Sequence, residues 1–224
     1  MSAKKKIKRN RTPWPTKAAM EQVYANHLWG GAAHSFYSGE GSHAPELLMP
    51  YVEKLRLFFS SFEHPITVCD LGCGDFNVGE KLVEHTRKYT AVDIVDSLIA
   101  FNKRTFSKEH LEFLCLDIAT DPLPNADCAI IRQVLQHISN KEISQLLPKL
   151  ETYKYIIVTE HLPNGTFTPN SDIISGQGIR IKKNSGVDLS AAPFNFKAKK
   201  ETPLLRVILE EKKGVLLTTL YELF

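Results

Sequence analysis

Five short apolar segments, 66–71, 89–92, 111–116, 128–131 and 155–159, punctuate the middle of the chain at spacings that suit buried strands. Between them lie stretches with apolar residues at helical intervals, chiefly 78–85, 96–104 and 141–150. Strand and helix in alternation, with crossovers of this length, predict a parallel sheet joined by right-handed connections. Later the pattern changes. Residues 204–210 and 215–223 are two strand-like runs separated by Lys212, Lys213 and Gly214, which predicts a β-hairpin and therefore antiparallel strands. Before the first strand, 15–27 carries Ala18, Ala19, Val23 and Tyr24 at helical spacing, and 45–62 is a longer amphipathic segment that Pro50 is expected to interrupt. The expected architecture is α/β: a Rossmann-like, doubly wound, mostly parallel seven-stranded sheet with an antiparallel C-terminal hairpin.

Where the first strand passes into the stretch 78–85, the sequence reads Val68-Cys69-Asp70-Leu71-Gly72-Cys73-Gly74-Asp75-Phe76-Asn77-Val78-Gly79-Glu80. Glycines at a strand-to-helix corner let the backbone turn tightly and let a ligand approach its amides, and a helix N-terminus behind them favours negative charge. A dinucleotide fits this pattern poorly, because its third, helix-packing glycine would fall at Asn77, and the next one is Gly79. A P-loop fits worse, for lack of a Lys-Ser or Lys-Thr pair after the glycines. The second strand ends in Asp93, an acid placed to accept both hydroxyls of a ribose, and the third is followed by Asp117 and Ile118. Ligands of open parallel sheets sit at the carboxyl ends of the strands, so Asp70, Asp93 and Asp117 are expected to converge on one crevice.

Residues 68–74, 91–95 and 116–119 together resemble the cofactor motifs of the class I S-adenosylmethionine-dependent methyltransferases, and the resemblance covers roughly residues 62 to 224. Ser38-Gly39-Glu40-Gly41-Ser42, Cys73-Gly74-Asp75-Phe76-Asn77, Asp93-Ile94-Val95, residues 132–139 and Ala192-Pro193-Phe194-Asn195-Phe196 are similar to a narrower group of small bacterial methyltransferases without an assigned substrate. The resemblance implies that Asp70, Gly72 and Gly74 shape a methionine pocket, that Asp93 holds the ribose, that Ile94 lies against the adenine, and that Asp117 and Ile118 meet its edge. Cys73 and Arg132 join the same cofactor-binding set. The antiparallel addition to a parallel sheet is likewise what the resemblance implies.

Composition narrows the setting. A chain of 224 residues with 43% hydrophobic content can fill one catalytic domain with an extension. The expected division is a basic flexible tail at 1–14, a helical cap and loop at 15–61, and the catalytic domain at 62–224. Cys69, Cys73, Cys115 and Cys128 show no Cys-x-x-Cys spacing and no histidine cluster accompanies them, so no metal site is expected and buried thiols in a reducing cytoplasm are the reading. The absence of an apolar run of membrane-spanning length or of a secretion-signal core agrees with that location. The net charge of +3 hides a split: Lys4, Lys5, Lys6, Lys8, Arg9 and Arg11 carry six positive charges, and removing them leaves the body at −3. A tail of that kind can hold RNA phosphates, but a solvated arm is the simpler account, and no aromatic residues interleave with the charges.

Methyl transfer is an in-line displacement that needs alignment more than covalent help, so the acceptor decides what else is required. For a hydroxyl acceptor a general base must be within reach, and the groups just past the fourth and fifth strands are the candidates: Arg132, Gln133, Gln136 and His137 on one side, Glu160 and His161 on the other. His137, Glu160 and His161 form the expected catalytic set. Residues 162–201 show no sustained period and are expected to shape the acceptor site, while the glycine- and serine-rich stretch 29–42 suits a loop that closes over a ligand. The leading expectation is a methyltransferase for a small-molecule or glycan-linked acceptor, at oxygen. RNA methylation through the tail, a non-catalytic cofactor- or partner-binding module and, last, nicotinamide chemistry stand as alternatives.

Overall fold

The structure, a computed structural model, describes residues 14–32, 35–209 and 214–224. The basic tail and most of the expected hairpin turn at Lys212 and Lys213 therefore lie outside the described residues.

Three helices precede the sheet: α1 (Thr16–Ala25), the single turn α2 (Glu40–His43) and α3 (Pro45–Ser60). Then β1 (Thr67–Leu71), β2 (Lys88–Asp93), α4 (Asp96–Thr105), β3 (Leu111–Cys115), β4 (Cys128–Arg132), α5 (Asn140–Leu150) and β5 (Tyr155–Leu162) follow in order. An excursion holds a two-stranded pair, β6 (Thr168–Pro169) with β7 (Ser185–Gly186), before β8 (Lys200–Ile208) and β9 (Val215–Glu222) close the sheet. The seven strands run in the order β3-β2-β1-β4-β5-β9-β8, parallel throughout β1 to β5, with β9 antiparallel to both β5 and β8. The order reverses between β1 and β4, and the crevice there opens above the carboxyl ends of the strands.

Strand alternation divides the core into two layers. Val68, Ala91, Cys128, Ile130 and Ile157 face helix α3, which buries Leu48, Tyr51, Val52, Leu55 and Phe59 against them. Cys69, Leu71, Ala129, Ile131, Ile156 and Val158 face α5 and its Ile143, Leu146, Leu147 and Leu150. Each such side chain contributes about 1.5–3 kcal/mol when buried. That packing explains why Pro50 does not interrupt α3: proline forfeits one backbone bond, whereas the five anchors on either side of it hold the helix continuous over 45–60. Helix α5 starts on a capping box in which Ser139 and Glu142 satisfy each other's backbone amides.

The expected helix at 78–85 is absent. Two 3-10 turns, Gly79–Lys81 and Val83–His85, take its place. Phe76 is the cause: fully buried, with a left-handed φ of 65°, it drives its ring among Tyr89, Phe106 and Phe113 and against the backbone of Gly79. No long helix dipole therefore stands behind the glycine corner, and any preference there for negative charge has to come from other groups.

Candidate active site

The corner after β1 is built as the two glycines demand. The amides of Gly72 and Cys73 both donate to the Val92 carbonyl, at 2.8 and 2.9 Å, which ties the corner to the end of β2. Gly72 and Gly74 hold φ of 88° and 57°, and a Cβ on them would overlap Val134 and the Ser38 hydroxyl respectively. At the end of β2, Asp93 accepts from the amides of Gly74 and Val95, each at 3.1 Å. Burial raises its pKa and those two amides oppose the rise. Two lone-pair directions remain for further donors, as a ribose diol requires.

The segment 38–43 does not swing free over this corner. Ser38 and Asp75 exchange two hydrogen bonds, amide to carboxylate and amide to hydroxyl, both 2.8 Å. Tyr24 shares a 3.0 Å bond with the Ser38 hydroxyl, and His43 Nε2 lies 2.6 Å from the Asp75 carboxylate. Arg132 donates to the Gly41 carbonyl at 2.5 Å and to Ser42 Oγ at 3.4 Å, and Asn77 donates to the Ser42 carbonyl at 2.7 Å. The cap is thereby locked onto the glycine corner at both ends.

A cavity of about 470 Å³ lies between these parts. Gly72, Cys73, Gly74, Asp93, Ile94, Asp117, Ile118 and Arg132, all of them residues expected at the cofactor, line one end. Asp117 is fixed by its own turn, its carboxylate accepting from the Ala119 amide at 2.8 Å. Asp70 departs from the expectation. It sits two positions before the corner on the α3 side of β1, accepts from the Tyr89 hydroxyl at 2.8 Å, and lines a separate chamber of about 20 Å³ that shares Ser42, Gly72, Cys73 and Arg132 with the larger cavity. Burial pushes its pKa up to about 7. The three acids thus do not converge: Asp93 and Asp117 face the cavity and Asp70 lies behind the corner.

Gln136, His137 and His161 line the opposite end together with Gln177 and Lys182, under a roof of Thr16, Met20, Tyr24 and Trp29. The His137 ring packs on Trp29 at a centroid distance of 5.0 Å. A consistent chain of donors fixes its proton: the His161 amide donates to Gln136 Oε1 (3.1 Å), so the Gln136 amide nitrogen donates to His137 Nε2 (3.2 Å), and His137 Nδ1 donates to the Gly176 carbonyl (3.1 Å). Burial pushes the His137 pKa down to about 4, which keeps the ring neutral. Glu160 is not among the lining residues. Its carboxylate turns beneath the cavity floor and accepts from the Leu135 amide at 3.1 Å, because its strand alternation directs it under the turn that follows β4.

Sequence reasoning missed Tyr24, Glu142, Gln177, Arg180 and Lys182 at this site. Glu142 was accessible through its Ser-x-x-Glu spacing; its carboxylate also takes bonds from Thr16 and Ser175, joining cap and excursion. In the sequence Tyr24 shows only as an apolar position of a helix, and Gln177, Arg180 and Lys182 sit in a segment whose pattern carries no period. No group of three or more potential metal ligands occurs among the described residues.

Comparison with known proteins agrees with this geometry. Residues 68–153 match the family described as a methyltransferase domain. Uncharacterized methyltransferases of Mycobacterium bovis and Mycobacterium tuberculosis are 29% identical over 123 residues, 51% of this chain and 62% of theirs. The matched part therefore spans less than two thirds of those curated relatives. Among solved structures, the N-methyltransferase NodS from Bradyrhizobium japonicum with S-adenosyl-L-homocysteine aligns at TM-score 0.58 and 14% identity, over 80% of this chain and 87% of that one. Magnesium protoporphyrin IX methyltransferase from Synechocystis with bound S-adenosylmethionine aligns at TM-score 0.59 and 12% identity, over 96% and 100%. Residues 68–153 thus carry a methyltransferase domain, and with its glycine corner and strand order the chain shares the fold of these S-adenosylmethionine-dependent methyltransferases.

Proposed function

We propose that this chain transfers a methyl group from S-adenosylmethionine to a small-molecule or glycan-linked acceptor, at oxygen. The observation that carries the reading is the continuity of one cavity from the glycine corner and Asp93 to the histidine-lined wall. The residues present suit the cofactor: glycines where a Cβ would fill the cradle, a buried carboxylate for the ribose, Ile94 for a face of the purine and Asp117 with Ile118 for its edge, and a buried Arg132 Nε with no partner among the described residues. When bound, the cofactor supplies a methyl already activated on a sulfonium.

The protein's own part is alignment and proton handling. Asp93 fixes the nucleoside end, while the locked segment 38–43 and Arg132 hold the amino-acid end. Tyr24, Met20 and Trp29 exclude water from above. On the acceptor side, His161 is our assignment for the base that takes the hydroxyl proton, since burial pushes the His137 pKa down to about 4, which makes that ring a poor base, and its Nε2 already accepts from Gln136. Glu160 supports that wall from below. A cavity of this volume, shared with the cofactor, admits only the methylated moiety of an acceptor, which fits a small molecule or one residue of a glycan.

Calorimetry with S-adenosylmethionine tests the cofactor half. Incubating the chain with methyl-labelled cofactor and fractionated cell extract tests the acceptor half, through label in a small or glycan-linked species. Failure to bind the cofactor, or label appearing in RNA and requiring residues 1–11, refutes the proposal.

A further inference from the structure

Beneath the acceptor-side wall lie two buried ionisable side chains, neither of which lines the cavity. Arg180 is 1% exposed and Glu160 is 4% exposed. A buried guanidinium is tolerable only if its donors are satisfied, and Arg180 places them on four acceptors. It donates to the carbonyls of Leu135 (3.0 Å) and Ile138 (2.9 Å), to Asn140 Oδ1 (2.7 Å), and back into its own excursion at the Ser171 carbonyl (3.0 Å). Two of the four partners, Leu135 and Ile138, belong to the segment after β4 that carries Gln136 and His137, and Asn140 opens the helix that follows it. From the other side Glu160 Oε1 takes the Leu135 amide, and Glu160 Oε2 is buried with no hydrogen-bond partner among the described residues.

We infer that Arg180 and Glu160 are positioning residues for the acceptor side of the cavity: they grip the Leu135–His137 turn by its carbonyls and by an amide respectively, and so fix both the His137 tautomer and the wall formed by residues 177–182. The route is short. Arg180 follows Gln177, Gly178 and Ile179, all of which line the cavity, and the excursion is bonded to His137 directly through the Gly176 amide (2.9 Å) and the Gly176 carbonyl. Moving the guanidinium therefore moves the wall and the histidine together. Burial pushes the Glu160 pKa up to about 8 against the opposing pull of Arg180, so the carboxyl is mainly protonated at neutral pH and its role is that of a neutral acceptor of the Leu135 amide. An amide side chain of the same shape performs that role, whereas a methyl cannot.

For its rate measurement the inference rests on the proposed function; its structural measurements do not. The full chain, labelled with nitrogen-15 at histidine, is compared as wild type, Arg180→Lys, Glu160→Gln, Glu160→Ala and Asn140→Ala. His137 ring nitrogen shifts, calorimetric binding of S-adenosyl-L-homocysteine, and methyl incorporation into the active extract fraction are read on each. Wild type shows His137 neutral with its proton on Nδ1 down to about pH 4. Arg180→Lys and Glu160→Ala mix the tautomers and lower incorporation by about tenfold or more while leaving cofactor affinity within about threefold; Glu160→Gln keeps the wild-type spectrum and rate. An unchanged His137 spectrum in Arg180→Lys, or Glu160→Gln behaving like Glu160→Ala, overturns the inference. If Arg180→Lys does not fold, Asn140→Ala removes one of the four acceptors and is read the same way, and an unmoved His137 there is equally decisive against it. A wild-type chain that binds no S-adenosyl-L-homocysteine sinks the functional reading instead, and the histidine spectra still judge the clamp.

Discussion

Replacing Asp93 by alanine removes two different things, and the structure separates them. The first is a pair of acceptors for the ribose hydroxyls, whose loss we expect to weaken cofactor binding by about 1.5–3 kcal/mol, roughly ten- to 150-fold in Kd. The second is the partner of the buried Gly74 and Val95 amides, each at 3.1 Å, and orphaning them costs about 1–3 kcal/mol of stability apiece, less whatever water recovers. A domain of ordinary stability, about 5–15 kcal/mol, survives that loss with a lowered Tm. Affinity is therefore measured well below the variant's Tm, by calorimetry, on protein that thermal melting shows to be folded. A cofactor analogue lacking the ribose 2′-hydroxyl completes a double-mutant cycle: the missing hydroxyl weakens binding to wild type but hardly to Asp93→Ala. Equal penalties in the two proteins, or a folded Asp93→Ala of unaltered affinity, refute the ribose assignment.

Other perturbations test neighbouring parts. Gly74→Ala meets both a positive φ and the Ser38 hydroxyl, and should lower stability by about 1–3 kcal/mol and loosen the cap, seen as faster hydrogen exchange at 38–43. Ser38→Ala avoids that strain but orphans the Asp75 amide and the Tyr24 hydroxyl, so it should raise exchange there and lower stability by about 1–3 kcal/mol, less whatever water recovers. Asp70 keeps its proton in the fold up to about pH 7, whereas an unfolded aspartate loses it near 3.8. The folded state thus binds more protons across that window, and this group's effect is a fall in stability as pH rises from about 4 to 7, on the order of 4 kcal/mol at most. Asp70→Asn, which still accepts from Tyr89, should flatten that slope in urea titrations of the ligand-free protein; a slope identical to wild type contradicts the assignment. His161→Gln should spare cofactor binding and slow methyl transfer by about a hundredfold or more, a loss that His137→Gln does not reproduce.

The strands were legible because burial on both faces leaves continuous apolar runs, and the hairpin because its two runs straddle a glycine turn. Gly72, Gly74, Asp93 and Asp117 were legible because a strand end fixes where its next residues go. Legibility fails where distant contacts decide. Phe76 breaks the helical period of 78–85 by inserting into a cluster whose other members come from β2, α4's end and β3. The excursion after β5 has no period because its shape is held by single polar side chains: Asn170 spans to Asp188 and Ala192, and Arg180 to the turn after β4. Asp70 and Glu160 were expected at the crevice from their place near strand ends, but side-chain alternation sends both beneath the corner and the turn.

The position of β9 has a consequence for biogenesis. Residues 215–222 pair with β5 along its whole length, Glu160 facing Leu217 and His161 facing Leu216 in the ladder. During vectorial synthesis β5 emerges well before its neighbour and waits as an open edge, the kind that recruits other chains. Until residue 215 and its successors arrive, the backbone of Glu160 and His161 lies on that open edge, so the strand that ends at the acceptor side of the cavity is the last of the parallel set to gain its second neighbour.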